Sequence, residues 1–143
     1  MRVVPPLGQR TEQQLVVRLM REHGVSEEEA KAAVIETCRF LALCAAYPEK
    51  QFVPSPMVDN GWHAFILFTR EYANYCSRLG RFIHHCPWDG DGIEHKETGL
   101  DTTSFMEEQG IEFNPGLWAA ETKCSTCTYN CNNRCTDEVE ACA

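Results

Sequence analysis

No stretch of this 143-residue sequence holds the roughly 18 uninterrupted apolar residues that a bilayer-crossing helix needs, so a membrane-spanning role is excluded. Clustered Lys and Arg are missing too. The 13 basic residues are scattered singly against 21 acidic ones, for a formal net charge of −8, whereas a phosphate-backbone footprint needs basic residues gathered on one face. Nucleic acid therefore drops out as a partner. Residues 1–10 carry Pro5 and Pro6 where a secretory signal would place its apolar region, and the expected address is the cytoplasm. There is no G-x-S-x-G, no P-loop, no dinucleotide fingerprint and no internal repeat. Asp89-Gly90-Asp91-Gly92 begins like a calcium loop, but the twelfth position counted from Asp89 is Leu100 where the loop needs Glu, so it reads as a turn.

What is present is cysteine. With 43% apolar residues and 10% aromatics, the chain can build one buried core unaided, so its nine cysteines do not compensate for a core too small to fold. In a reducing compartment, clustered thiols more often bind metal or do redox chemistry than close disulfides.

Periodicity predicts an all-α fold: a small helical bundle over 1–122, with a Cys-rich C-terminal tail over 123–143. Thr11 and Gln14 have capping-box spacing and precede a stripe of Leu15, Val16, Leu19 and Met20, which Gly24 ends. Ser26 with Glu29 opens a long second helix, with Ala30, Val34, Cys38, Leu41 and Ala45 on one face and Phe40, Leu43 and Tyr47 widening it, up to Pro48. After a polar connection over 49–54, Ser55 and Pro56 read as N-cap and first turn of a single central helix running to Leu79 and stopped by Gly80. Residues 81–87 read as extended. A short helix is expected over 102–109, and Leu117 with Trp118 as a last apolar anchor. From Lys123 onward the only large aliphatic residue is Val139, so the tail has no core of its own.

Three constellations could carry chemistry. Asp59 and His63 stand four apart on one helical face, where a carboxylate can fix an imidazole tautomer; the same spacing also serves simply to satisfy a buried histidine. His84, His85 and Cys86 follow in the extended segment, where neighbouring side chains alternate, so at most one of the two histidines turns inward. His63, one of those histidines, and a carboxylate or Cys86 would suit zinc or iron. In the tail, Cys124, Cys127, Cys131 and Cys135 form C-x2-C-x3-C-x3-C, with Cys142 seven residues further on. Four thiolates so close can close a tetrahedral zinc site, and Cu(I) or an iron-sulfur cluster fits the same donors. A tail without metal, closed by disulfides, fits as well. Cys38, Cys44 and Cys76 fall on apolar helical positions and read as inert packing.

The run Val58-Asp59-Asn60-Gly61-Trp62-His63, the later Tyr72 and Tyr75-Cys76, and Gly80-Arg81-Phe82-Ile83-His84-His85-Cys86-Pro87 resemble the glycine-rich domain-containing protein-like family, marked by V-D-x-x-W-H, Y-x-x-(Y/F)-C and H-x-P. The resemblance covers about residues 26 to 88 and more loosely reaches Trp118. It implies a small helical bundle in which Asp59, Trp62, His63, His85 and Pro87 belong together; it carries no settled activity. Phe65 stands where several relatives have a second histidine, so a family site using both would lack a ligand here.

The leading expectation is thus a cytoplasmic helical accessory or interaction protein whose tail binds a metal, zinc first, and which meets a protein or small-molecule partner. The competing one is a metal-dependent enzyme that activates water or oxygen at His63, His85 and Asp59. A thiol-redox role for the tail is the third.

Overall fold

The computed structural model describes residues 3–85 and 99–118, with backbone alone for Gly99 and Leu100. All six elements among the described residues are helices: α1 (Gln9–His23), α2 (Glu27–Ala46), α3 (Pro56–Ile66), α4 (Thr69–Leu79), α5 (Gly99–Gln109) and α6 (Pro115–Trp118). No helix is long and apolar enough to cross a membrane among the described residues. The Cys-rich tail and Cys86 lie outside them.

α1 starts two residues before Thr11. Gly8 is its N-cap and no side chain caps it, so Thr11 and Gln14 do not form the expected box. Its end is as the sequence predicts: Gly24 adopts φ 66°, which only glycine takes at no steric cost, and its N–H closes on the Met20 carbonyl. Of the stripe, Leu15, Val16 and Leu19 are buried, while Met20 is exposed. α2 carries a full capping box, with the Glu29 N–H donating to Ser26 Oγ at 3.1 Å and the Ser26 N–H donating to Glu29 Oε1 at 3.0 Å.

The central helix expected from Pro56 to Leu79 is two helices. Phe68 has φ −92° and ψ 72°, outside the helical region; its N–H bonds Phe65 O in a tight turn, and its own carbonyl accepts the Tyr72 N–H to start α4. Neither Pro nor Gly marks the break. Tertiary packing selects it: Phe65 is fully buried with its ring 5.1 Å from Tyr72 and 5.5 Å from Tyr75. The connection over 49–54 also differs from its polar reading, because Phe52, Val53 and Pro54 are buried.

The chain divides into two compact units. The first comprises residues up to Lys50 together with Asn60–Ile83. α1 packs on α2 there, and α2 on α4, around Leu15, Leu19, Phe40, Leu41, Phe65 and Tyr75. Gly61 marks the closest approach to α2: a Cβ at this position would lie 2.1 Å from Thr37 Oγ1. The second unit comprises Gln51–Asp59 and the described residues from His84 on. Thr102 on α5 clamps the 51–54 segment there, accepting from the Val53 N–H at 3.2 Å and donating to the Val53 carbonyl at 2.9 Å. Phe52 stacks at a tilt on Phe105, centroids 5.2 Å apart, and Met106, Ile111 and Trp118 are buried.

Candidate metal centre

α3 begins as its sequence predicts. Ser55 Oγ accepts the Val58 N–H at 3.2 Å and the Ser55 carbonyl accepts the Asp59 N–H at 2.8 Å, so the cap fixes the first turn and with it Asp59. The boundary between the two units falls inside α3, after Asp59, so Asp59 and His63 are held to each other by one continuous helix. Asp59 is 6% exposed, whereas His63 is exposed and available to solvent.

The other side comes from the segment after α4. Gly80 ends α4 at φ 100°, and the next residues are tied down. Arg81 donates to the Cys44 carbonyl at 3.0 Å. Trp62 Nε1–H donates to Tyr72 Oη at 2.9 Å, and the Tyr72 hydroxyl donates to the Ile83 carbonyl. Burial pushes the Tyr72 phenol well above its ordinary pKa, so it stays protonated and remains a donor. Burial alternates from Ile83 on, as expected of an extended segment: Ile83 is buried, His84 is exposed, and the His85 side chain is 7% exposed. One histidine of the pair faces in, as the sequence predicts, and it is His85.

His85 Nε2 lies 3.1 Å from Asp59 Oδ1. One ligand atom from each of Asp59, His63 and His85 lies within 4.8 Å of the others. Tetrahedral zinc, with Zn–N and Zn–O near 2.1 Å, holds its donor atoms about 3.4 Å apart, so a group gathered within 4.8 Å would close on an ion by small side-chain adjustments. His84 is not part of this group, and Cys86, Cys124, Cys127, Cys131 and Cys135 lie outside the described residues. Phe65, on the far side of α3, is core, so a histidine there would face the interior and not Asp59.

The three described cysteines are free thiols. Burial pushes the Cys38 thiol up to about 11 and the Cys44 thiol up to about 12, so neither is a thiolate near neutral pH, in keeping with inert packing. Two features of this region were not legible in the sequence. The Tyr72 hydroxyl reads as part of an apolar stripe, and its only signal is that a buried tyrosine in place of phenylalanine requires a hydrogen-bond partner. Glu36 interrupts the core face of α2 at 1% exposure and pairs with Arg39 at 3.1 Å.

A family model described as UCP032817-like matches residues 8–102, from the start of α1 into α5 and across Asp59, His63 and His85. No curated protein and no solved structure matches the chain.

Proposed function

The chain belongs to the UCP032817-like family, and from the residues inside that match we propose that it is a metal-binding helical protein whose Asp59, His63 and His85 hold one divalent transition ion. The observation that supports this is the convergence of two imidazoles and a carboxylate within 4.8 Å. Imidazole with carboxylate oxygen suits zinc, and next iron(II), better than the hard cations calcium and magnesium. Three protein ligands would leave at least one position of the ion open, and the exposed His63 makes the group reachable from solvent. An ion held so can lower the pKa of bound water or polarise a substrate oxygen, which favours a metal-dependent reaction over a purely structural ion. The V-D-x-x-W-H and H-x-P stretches that suggest kinship with the glycine-rich domain-containing protein-like family supply all three ligands. A second, separate zinc at Cys124, Cys127, Cys131 and Cys135 is favoured by their spacing in the sequence.

Elemental analysis of the full chain after zinc loading and gel filtration tests both. The His63→Ala/His85→Ala chain should lose one equivalent. A chain with the four tail cysteines replaced by serine should keep that equivalent. Cobalt substitution distinguishes the sites independently, because only thiolate ligands give strong near-ultraviolet charge-transfer bands. Undiminished metal in the histidine double variant sinks the Asp59/His63/His85 reading.

A further inference from the structure

Against the acidic balance of the chain, the outer face of α1 stands apart. Arg10, Gln14, Val17 and Arg21 recur at helical spacing along α1, and with Gln13, Arg18 and the Phe68 ring they line an open groove of about 490 Å³. Arg18 is paired with Glu22 at 3.0 Å, and its Nε–H is buried without a hydrogen-bond partner. Arg10 and Arg21 are exposed, and neither makes an ion pair among the described residues. Val17, between them, is 46% exposed.

We propose that this groove binds an extended acidic segment of a partner protein, in which carboxylates flank one apolar side chain. Arg10 and Arg21 are eleven residues apart on one helix, about 16 Å along its axis, which is too far for a single phosphate or carboxylate to bridge. About five residues of extended chain span that distance. Val17 and Phe68 form the apolar seat midway, where a bare anion has nothing to contact. The amides of Gln13 and Gln14 both donate and accept, which matches a peptide backbone and is half wasted on an anion, since an anion only accepts. Each end guanidinium offers a carboxylate a bidentate pair. The proposal rests on this groove alone and not on the metal reading.

The test is fluorescence anisotropy of the full chain with a labelled peptide, Gly-Glu-Asp-Leu-Asp-Glu-Gly. The wild type should bind saturably, and more weakly at about 0.2 M salt than at low salt, since both arginines are exposed. Arg10→Glu/Arg21→Glu should weaken binding at least tenfold and Arg10→Gln/Arg21→Gln severalfold, both with unchanged helical circular dichroism. Replacing the peptide's Leu by Ser should also weaken binding severalfold. The His63→Ala/His85→Ala chain should bind the peptide as the wild type does. Absence of saturable binding, equal affinity in the arginine variants, or displacement by inorganic polyphosphate or phosphatidylserine vesicles as readily as by unlabelled peptide would overturn the proposal.

Discussion

Gly61→Ala is the sharpest perturbation available in the first unit, because the consequence of one methyl group can be worked from distances. The added Cβ would lie 2.1 Å from Thr37 Oγ1, 3.3 Å from Thr37 Cβ and 3.4 Å from the Ala33 carbonyl oxygen. Two responses are open. Thr37 can rotate away, but its hydroxyl donates to the Ala33 carbonyl at 2.7 Å in a buried setting, and breaking that bond without replacement costs about 1–3 kcal/mol. Alternatively, α3 can move off α2, and such overpacking costs typically about 1–3 kcal/mol. Against either stands the gain of about 1 kcal/mol for alanine over glycine inside a helix. A net loss of up to about 2 kcal/mol follows, measurable as a lower urea midpoint with unchanged slope, with Trp62 fluorescence as one probe. The pair Gly61→Ala/Thr37→Ala isolates the clash: removing the hydroxyl should make the second methyl group much less costly, giving a coupling energy of about 1 kcal/mol in a double-mutant cycle. A stabilising Gly61→Ala, or strict additivity in the cycle, would refute the steric argument.

Tyr72→Phe removes the acceptor of Trp62 Nε1–H and the donor to the Ile83 carbonyl together, so it should cost about 1–3 kcal/mol by urea denaturation; a loss under 0.5 kcal/mol would mean that neither bond matters. Alkaline pH should destabilise the fold. Cys38 binds its proton more tightly folded, at about 11, than the ordinary 9.0, so its contribution is whole below pH 9 and is lost as pH rises through 11, amounting to roughly 2 kcal/mol by that point. Urea midpoints that stay flat between pH 8 and about 11 would contradict this. His63→Ala should leave the thermal midpoint of the metal-free chain nearly unchanged while abolishing zinc uptake at this site, whereas His85→Ala should lower both, because Asp59 is left buried without its imidazole.

Where a signal is local, the sequence carries it. Ser26 with Glu29, Ser55 with Pro56, and Gly24 and Gly80 each act within one helical turn, and each sits where those residue types require. The break at Phe68 is different, because it depends on Phe65, Tyr72 and Tyr75 packing together, and no Pro or Gly announces it. The burial of Phe52 and Val53 depends on Phe105 and Thr102, about fifty residues further along the chain, so a short run between charged residues reads as solvated. The same division runs through the metal group. Asp59 and His63 are legible as a pair four apart. That one of His84 and His85 turns inward follows from strand alternation; that it is His85 follows from the tie on Ile83, a hydrogen bond from Tyr72 that no spacing rule displays.

The uneven burial of the three candidate ligands bears on what they are for. A histidine recruited only to satisfy a buried carboxylate needs one partner, and Asp59 with His85 already makes that pair, the two side chains 9% and 7% exposed. His63, by contrast, is exposed. Yet its ring nitrogen lies within 4.8 Å of ligand atoms of both. Such an arrangement suits an ion: two ligands are held by burial and hydrogen bonding, so that little ordering entropy remains to be lost on binding, and a third stands at the solvent edge. The Ser55 cap fixes the first turn of α3 and with it Asp59, and His63 follows one turn later on the exposed face of the same helix.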